Sequence, residues 1–438
     1  MNKSITFFIL FAWMSLAIAQ NPEDFLNKGN EYFESGDYSS AITQYEQAIQ
    51  LDVTFAPAMF QSSLSYLRLG EMEKTKEFIN LAIEADQENE EYRKEFERIN
   101  EINTGMNDGN RAYRNGLYDD AMVSYQGVLD KFPFFAEAAY SLGLVYMQAD
   151  DLEKAIESFH TALELNSSHE SAQTAIANVA KRTFNEGNQC YKRRDLDCAI
   201  EKYQQVINID PTFFQAYYQT GVIEARQGNY TFAIENYKLA LQHNPEFYKG
   251  WFALGLVQKR DGDPESALVS LKKTVEIHPG YAKAYGAMGD IYIELKRFDE
   301  ALSILLTATQ VDPTYAKGYL SLGTVYIELA EVANAVTSLD MATSLDPEKH
   351  QAWYLLAQSN NELGQCDEAK EAALQATDLK EKFGGGWYEL ANAEWCNGQG
   401  NKTAALNHLE KARNDRAWRK SAEYLMDKIK NPQKYQED

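Results

Sequence analysis

Proline returns every 34 residues through the middle of this chain: Pro211, Pro245, Pro279, Pro313 and Pro347 keep the interval. Two further columns keep it as well, Gly221, Gly255, Gly289 and Gly323, and Ala233, Ala267, Ala301 and Ala335. Three registers held together over successive units constrain the fold more than composition does. A fixed period of this length means that one small supersecondary unit is copied and stacked. Two units even open on nearly the same words, HPGYAKAYGAMGDIY (His278 to Tyr292) and DPTYAKGYLSLGTVY (Asp312 to Tyr326).

Inside a unit the apolar residues fall twice at helical spacing. In 282–315 the first set is Tyr285, Met288, Ile291, Tyr292 and Leu295, and the second is Ala301, Leu302, Leu305 and Ala308. These i, i+3, i+4 and i+7 steps predict two amphipathic helices. The break between helices carries helix-start chemistry. Asp263-Pro264-Glu265 puts proline just inside a helix, and Asp299-Glu300 puts acid where the helix dipole favours it. The Gly and Ala columns let the two helices cross closely, and the proline ends the second helix. The chain is 45% apolar and 24% charged, which is enough apolar residue for such a stack to bury a core.

The frame W/Y-x-x-L-G-x-x-Y … A-x-x-x-Y/F-x-x-A … P stands almost whole in WFALGLVQKRDGDPESALVSLKKTVEIHP, residues 251–279. On these residues the chain resembles the tetratricopeptide repeat (TPR) family. Nearly everything beyond residue 19 reads as eleven units: 22–55, 56–89, 102–135, 136–169, 180–213, 214–247, 248–281, 282–315, 316–349, 350–383 and 384–417. The resemblance implies an all-α fold, a right-handed superhelical solenoid of helix-turn-helix hairpins. Residues 418–430 read as a polar C-terminal capping helix, which a terminal repeat needs. Insertions at 90–101 and 170–179 contain neither Gly nor Pro. They are expected to lengthen the following first helix by about three turns. The domains expected are therefore an N-terminal array of four repeats over 20–179, a C-terminal array of seven over 180–417, and a cap and tail over 418–438. The stretches NKGNEYF, NDGNRAY and NEGNQCY place glycines at 29, 109 and 187, a longer spacing that points to duplication of a two-unit module.

The first 19 residues have a basic start (Lys3), an uncharged apolar run from Ile5 to Ile18, and Ala17-Ile18-Ala19 at its end. That is the layout of a cleavable signal peptide, so export to a periplasm, a secretory lumen or the extracellular space is expected. No later stretch approaches the length of a membrane span. Four cysteines in an exported chain suggest disulfides, with four buried thiols as the alternative. In the repeat frame Cys190 and Cys198 flank one hairpin turn, and Cys366 and Cys396 fall where neighbouring units stack. The pairs 190–198 and 366–396 are expected from these positions. Asn166, Asn229 and Asn401 each begin an N-x-S/T sequence.

No catalytic constellation is present. The six histidines are scattered with no pair at i, i+4 and none beside a cysteine pair, so no zinc site is indicated. There is no G-x-S-x-G and no phosphate-binding glycine loop. No cofactor is expected, and the chain reads as a non-enzyme. A formal charge of −23 and a pI of about 4.8 lack the basic footprint of a nucleic-acid binder.

What remains is a surface. By resemblance, the first helix of each unit lines the concave groove, with positions 2, 5, 9 and 12 on one face. Position 2 carries Lys249, Lys283 and Lys317 in successive units, although a first-turn cation opposes the helix dipole. Position 5 is often aromatic: Tyr140, Phe184, Tyr218, Phe252, Tyr354 and Tyr388. Lysines beside rings suit an acidic or amphipathic protein segment. Position 9 of three units is Asn30, Asn110 or Asn188. In some TPR adaptors such an asparagine, with a lysine four residues earlier, grips a peptide carboxylate. Here Leu26, Met106 and Phe184 replace that lysine, which leaves a grip on peptide backbone. The function expected is an exported, non-catalytic protein-interaction scaffold. The alternative is a glycan-binding or polysaccharide-export scaffold, since sugar rings stack on aromatic faces.

Overall fold

In ten of the eleven units, one slot after the first helix takes a left-handed backbone, which turns the chain back on itself. Glycine fills that slot in six of the units, as at Gly364 (φ 74°), but Asp150, Arg194, Lys296 and Ala330 are held there too, Ala330 at φ 60°. In several units the second helix then starts on a side-chain cap. The Asp263 carboxylate accepts from Ser266 N at 3.0 Å with Pro264 opening the helix, and Asp37 accepts from Ser40 N at 3.0 Å. At the far end of the unit the proline carbonyl is used by the next first helix. Trp251 Nε1 donates to Pro245 O and Trp353 Nε1 to Pro347 O, both at 2.8 Å. The Pro and Trp of the repeat frame are thus the two halves of one seam.

The computed structural model describes residues 21–435, and among these it forms 23 α-helices and no strand. The signal peptide expected at 1–19 lies outside the described residues. Hairpins are formed by α1 (Pro22–Glu34) with α2 (Tyr38–Leu51), α3 (Ala56–Leu69) with α4 (Met72–Ala85), α5 (Glu90–Arg114) with α6 (Tyr118–Lys131), and α7 (Ala136–Gln148) with α8 (Leu152–Leu165). Next come α9 (Glu170–Lys192) and α10 (Leu196–Ile209). The series continues with α11 (Phe214–Gln227) and α12 (Tyr230–His243), α13 (Tyr248–Arg260) and α14 (Pro264–Ile277), and α15 (Ala282–Glu294) and α16 (Phe298–Val311). It ends with α17 (Ala316–Glu328) and α18 (Val332–Leu345), α19 (His350–Glu362) and α20 (Cys366–Leu379), and α21 (Gly384–Trp395) and α22 (Lys402–Arg413). A last helix, α23 (Arg419–Lys430), packs on α22 and buries Ala422, Leu425, Met426 and Ile429 against it as a cap. Residues 90–101 and 170–179 are continuous with α5 and α9, which run for 25 and 23 residues.

The chain divides into two compact units, residues 21–185 with Asn208–Asp210, and Glu186–Ile207 with residues 211–435. In the first unit one core joins successive hairpins, with Leu67, Ile79, Ile99, Ile102 and Tyr125 sealed. In the second, smaller clusters link each hairpin to the next, around Leu271 and Ile291, around Leu305 and Val325, and around Leu339 and Leu356. There the first helices also touch one another directly: α13 with α15, α15 with α17, α17 with α19 and α19 with α21. They form a continuous face, and Lys249, Phe252, Lys283, Lys317, Tyr354 and Tyr388 belong to the helices that form it.

Candidate functional site

The lysine column starts three consecutive first helices, and its members keep different company. Lys249 and Lys283 are exposed, with the Lys249 ammonium 5.9 Å from the centre of the Tyr248 ring. Lys317 reaches back across the seam to α15, where its Nζ lies 2.6 Å from Asp290 Oδ2. Ser321 Oγ donates to Asp290 Oδ1 at 2.9 Å, so both carboxylate oxygens are answered. Partial burial pulls the Lys317 pKa down, but the Asp290 carboxylate outweighs it and holds the ammonium above its ordinary value. Beside it Lys259 pairs with Glu294 at 2.6 Å. An open cleft of about 510 Å³ lies over these helices, lined by Asp290, Glu294, Lys317, Thr324, Lys349 and Gln351 among others. Of the three lysines, Lys317 makes the direct ion pair among the described residues, while Lys283 acts on Asp312 at longer range.

The aromatic column is built into the seams. Tyr218 meets Phe247 (5.0 Å between ring centres), Phe252 meets Tyr281 (5.1 Å) and Tyr354 meets Phe383 (5.2 Å), each edge to face. Tyr388 packs on Trp418 at 5.2 Å. The partner ring precedes the next helix in every case, so position 5 is a packing position that leaves its ring half-buried. At Gly286, one of the interruptions of the column, a Cβ would lie 2.5 Å from Tyr315 Oη, so the site has no room for a side chain.

The three asparagines have a partner inside their own hairpins. Tyr45 Oη donates to Asn30 Oδ1 at 2.9 Å, Tyr125 Oη to Asn110 Oδ1 at 2.7 Å, and Tyr203 Oη to Asn188 Oδ1 at 2.8 Å. The glycine before each asparagine makes room for the ring; a Cβ on Gly109 would lie 2.5 Å from Tyr125 Cε1. Burial pushes all three phenols up, Tyr203 to about 12, so each keeps the proton it donates. Each asparagine carbonyl thus latches its own hairpin, a role the repeat pattern did not show, and the bond uses one lone pair of Oδ1 and neither of the Nδ2 donors.

The cysteines are bonded in two pairs. Cys190 joins Cys198 across the α9–α10 turn, with Cα atoms 5.8 Å apart. Cys366, the first residue of α20, joins Cys396, which follows α21, with Cα atoms 5.7 Å apart.

Beside the second disulfide is a feature that the column reading missed. Glu389 of α21 is only 4% exposed. Its Oε2 accepts from Asn361 Nδ2 of α19 at 2.9 Å and from Asn392 Nδ2 at 3.1 Å, and Asn361 also donates to the Glu389 backbone carbonyl at 2.9 Å. Desolvation raises the pKa of this carboxyl above its ordinary value against the two amides, which favour the anion. A polar cleft of about 310 Å³ opens over it, lined by Gln358, Asn361, Glu362, Asn392, Trp395 and the Cys366–Cys396 bridge as well as Glu389. A signal for it lay one position from the aromatic column. Position 6 holds Gln219, Ala253, Ala287, Ser321 and Leu355 in the five preceding units and an acid only here.

Among the described residues no helix is long and apolar enough to cross a membrane, and no group of His, Cys, Asp and Glu is placed to hold a metal ion.

Models of the tetratricopeptide repeat match residues 56–89, 107–170, 259–322 and 320–379, and a TPR repeat model matches 29–70 and 187–228. Among curated proteins, DnaJ homolog subfamily C member 7 of Mus musculus is 24% identical over 212 residues, spanning 40% of this chain and 43% of its own length. Its Schizosaccharomyces pombe homolog is 25% identical over 238 residues, 44% of this chain and 50% of its own. The chain thus spans half or less of the length of these relatives. Among solved structures, the MamA protein is 27% identical at a TM-score of 0.35, covering 39% of this chain and 92% of its own. YrrB, described as a TPR protein with an unusual peptide-binding site, is 25% identical at a TM-score of 0.36, covering 45% and 96%. Repeat models fall on hairpins of both units, and the chain belongs to the tetratricopeptide repeat family, whose members are protein-interaction scaffolds and typically non-catalytic.

Proposed function

We propose that this protein is an exported, non-catalytic scaffold that binds a segment of a partner protein in a groove formed by the first helices of its second unit. The observation that carries this reading is the placement of two clefts, a mixed apolar and polar one over α15, α17 and α19 and a polar one between α19 and α21, on the face where first helices touch. Such clefts offer a bound chain pockets and hydrogen bonds at repeat spacing. Export is supported by the apolar N-terminal run and by the two bonded cysteine pairs, which persist in oxidising compartments. Lys249 and Lys283 stand exposed at the start of α13 and α15 and give an acidic stretch of the partner its counter-charges.

The test begins with cross-linking in the native compartment and mass spectrometry to recover the partner, followed by titration of the purified pair. Reversing Lys249, Lys283 and Lys317 together to Glu should weaken binding at least tenfold with helicity unchanged. Lys317→Glu alone should contribute least to binding, because that lysine is already paired. Full binding by the triple variant sinks the acidic-partner claim. A glycan ligand, the alternative, needs ring faces free for stacking, and four rings of the column meet another ring of the chain. A glycan array run beside the titration separates the two.

A further inference from the structure

Glu389 is the anomaly of the second unit. Carboxylates on protein surfaces are solvated, and buried ones are paired with a cation or fully hydrogen-bonded. Asp290 on the same face follows that rule, with Lys317 on one oxygen and Ser321 on the other. Glu389 does not. Both of its side-chain donors, the Asn361 and Asn392 amides, converge on Oε2. Among the described residues no side-chain donor is placed on Oε1, and the Glu389 side chain lines the cleft. Lys370 of α20 is committed to Glu394 of α21 at 2.8 Å. A second carboxylate, Glu362, stands at the rim, and Trp395 supplies an indole wall. An acid held in place by amides, a second acid and an aromatic surface together form the usual receptor for an ammonium or guanidinium group.

We propose that the cleft between α19 and α21 receives the basic side chain, lysine or arginine, of a bound polypeptide, with Glu389 Oε1 as its acceptor. The proposal rests on the groove reading above and adds a polarity to it: the bound segment is acidic where it passes Lys249 and Lys283, and carries a basic residue where it passes Glu389. The volume of about 310 Å³ suits one long side chain, not a whole second helix. Asn361, Asn392 and Glu389 occupy positions 12, 9 and 6 of their units, so the acceptor lies on the face that carries the column residues. The bound cation supplies the counter-charge that the fold omits and favours the anionic form of the buried carboxyl.

A positional-scanning library of decapeptides, with norleucine as the neutral reference at each position, tests this against the full chain with both disulfides intact. Lys or Arg should be preferred over norleucine at least fivefold at one position. Glu389→Gln should abolish the preference while other peptide contacts persist, because glutamine still offers the two amides an oxygen. Glu362→Gln should reduce it about twofold. Acetylating the lysine of the best peptide should cost at least fivefold with no change to the protein, an arm that does not depend on any variant folding. If peptides bind with no basic preference, or the preference survives Glu389→Gln, the cleft proposal is overturned and the groove reading stands. If no peptide binds at all, the groove reading falls and takes this proposal with it.

Discussion

Asp290 and Glu389 sit on the same face of the same unit, and their surroundings differ in kind. Asp290 is answered from the next hairpin by a cation and a hydroxyl, one on each oxygen. Glu389 is answered by two neutral amides on a single oxygen, one from the preceding hairpin and one from its own helix. The first arrangement is a closed ion pair with Lys317 largely exposed, a kind of contact worth little to stability and of little use to a ligand. The second is a buried acid with unspent capacity, costly to the fold and therefore a place to look for function. Repeats that look interchangeable by spacing are thus specialised by which hydrogen-bond capacity they leave open.

The largest difference between the two acids' surroundings is expected from the cross-link. The Cys366–Cys396 bridge closes a loop of 30 residues beside Glu389, and nothing like it braces α15 or α17. Replacing both cysteines by serine should cost about 3–4 kcal/mol of stability in the last two hairpins on a loop-entropy estimate. Hydrogen exchange should show α21 and α22 opening while α15 to α18 keep their protection. Equal loss along the whole unit would show that the bridge is not a local brace.

Removing one of the amides comes next. Asn361→Leu leaves the buried carboxyl with one side-chain donor, and about 1–3 kcal/mol is expected from the lost hydrogen bonding, read as a lower melting temperature of the final hairpins. Replacing the cation at the other acid should do far less. Lys317→Met removes an ion pair whose lysine side chain is 62% exposed, and about 0–1 kcal/mol is expected. If Lys317→Met costs more than Asn361→Leu, the contrast between the two acids fails.

The pH dependence sharpens the same contrast. Glu389 faces the Asn361 and Asn392 amides and interacts with the Tyr354 and Tyr388 phenols, and Glu362 shares its cleft. Burial pushes both phenols up, Tyr354 to about 12, so they stay neutral through the acid and neutral range. The folded state therefore holds the Glu389 proton at a pH where the unfolded chain has released it. Its contribution to stability is fully present below about pH 4 and is lost as pH rises through the raised folded value. Melts of the final hairpins between pH 4 and 7 should show this fall, and Glu389→Gln should flatten it. An unchanged slope in Glu389→Gln would assign the fall to other groups.

Much of the fold was legible before any coordinates, because a stack of hairpins is governed by local periodicity. Apolar steps of three and four gave the helices, and the Pro, Gly and Ala columns gave their register. The hairpin role of the asparagines was not legible, for a physical reason. Tyr125 is 15 residues from Asn110, on the other helix of the hairpin, and no helical period links the two. The column of lysines was readable as a column, but the pairing of Lys317 with Asp290, 27 residues earlier, depends on how closely one first helix approaches the last.

By itself, then, the sequence determined the repeat unit, its two helices, the turns between them and the hairpin positions of the cysteines, since all of these depend on neighbours within a unit. Only the tertiary structure decided which polar groups are answered. Tyrosines engage the asparagine carbonyls, rings of the next hairpin pack on the aromatic column, Lys317 and Ser321 answer both oxygens of Asp290, and both side-chain donors to Glu389 fall on one oxygen. Whether a charge is spent or available depends on burial and on donors from adjacent hairpins, and that is fixed when the helices pack.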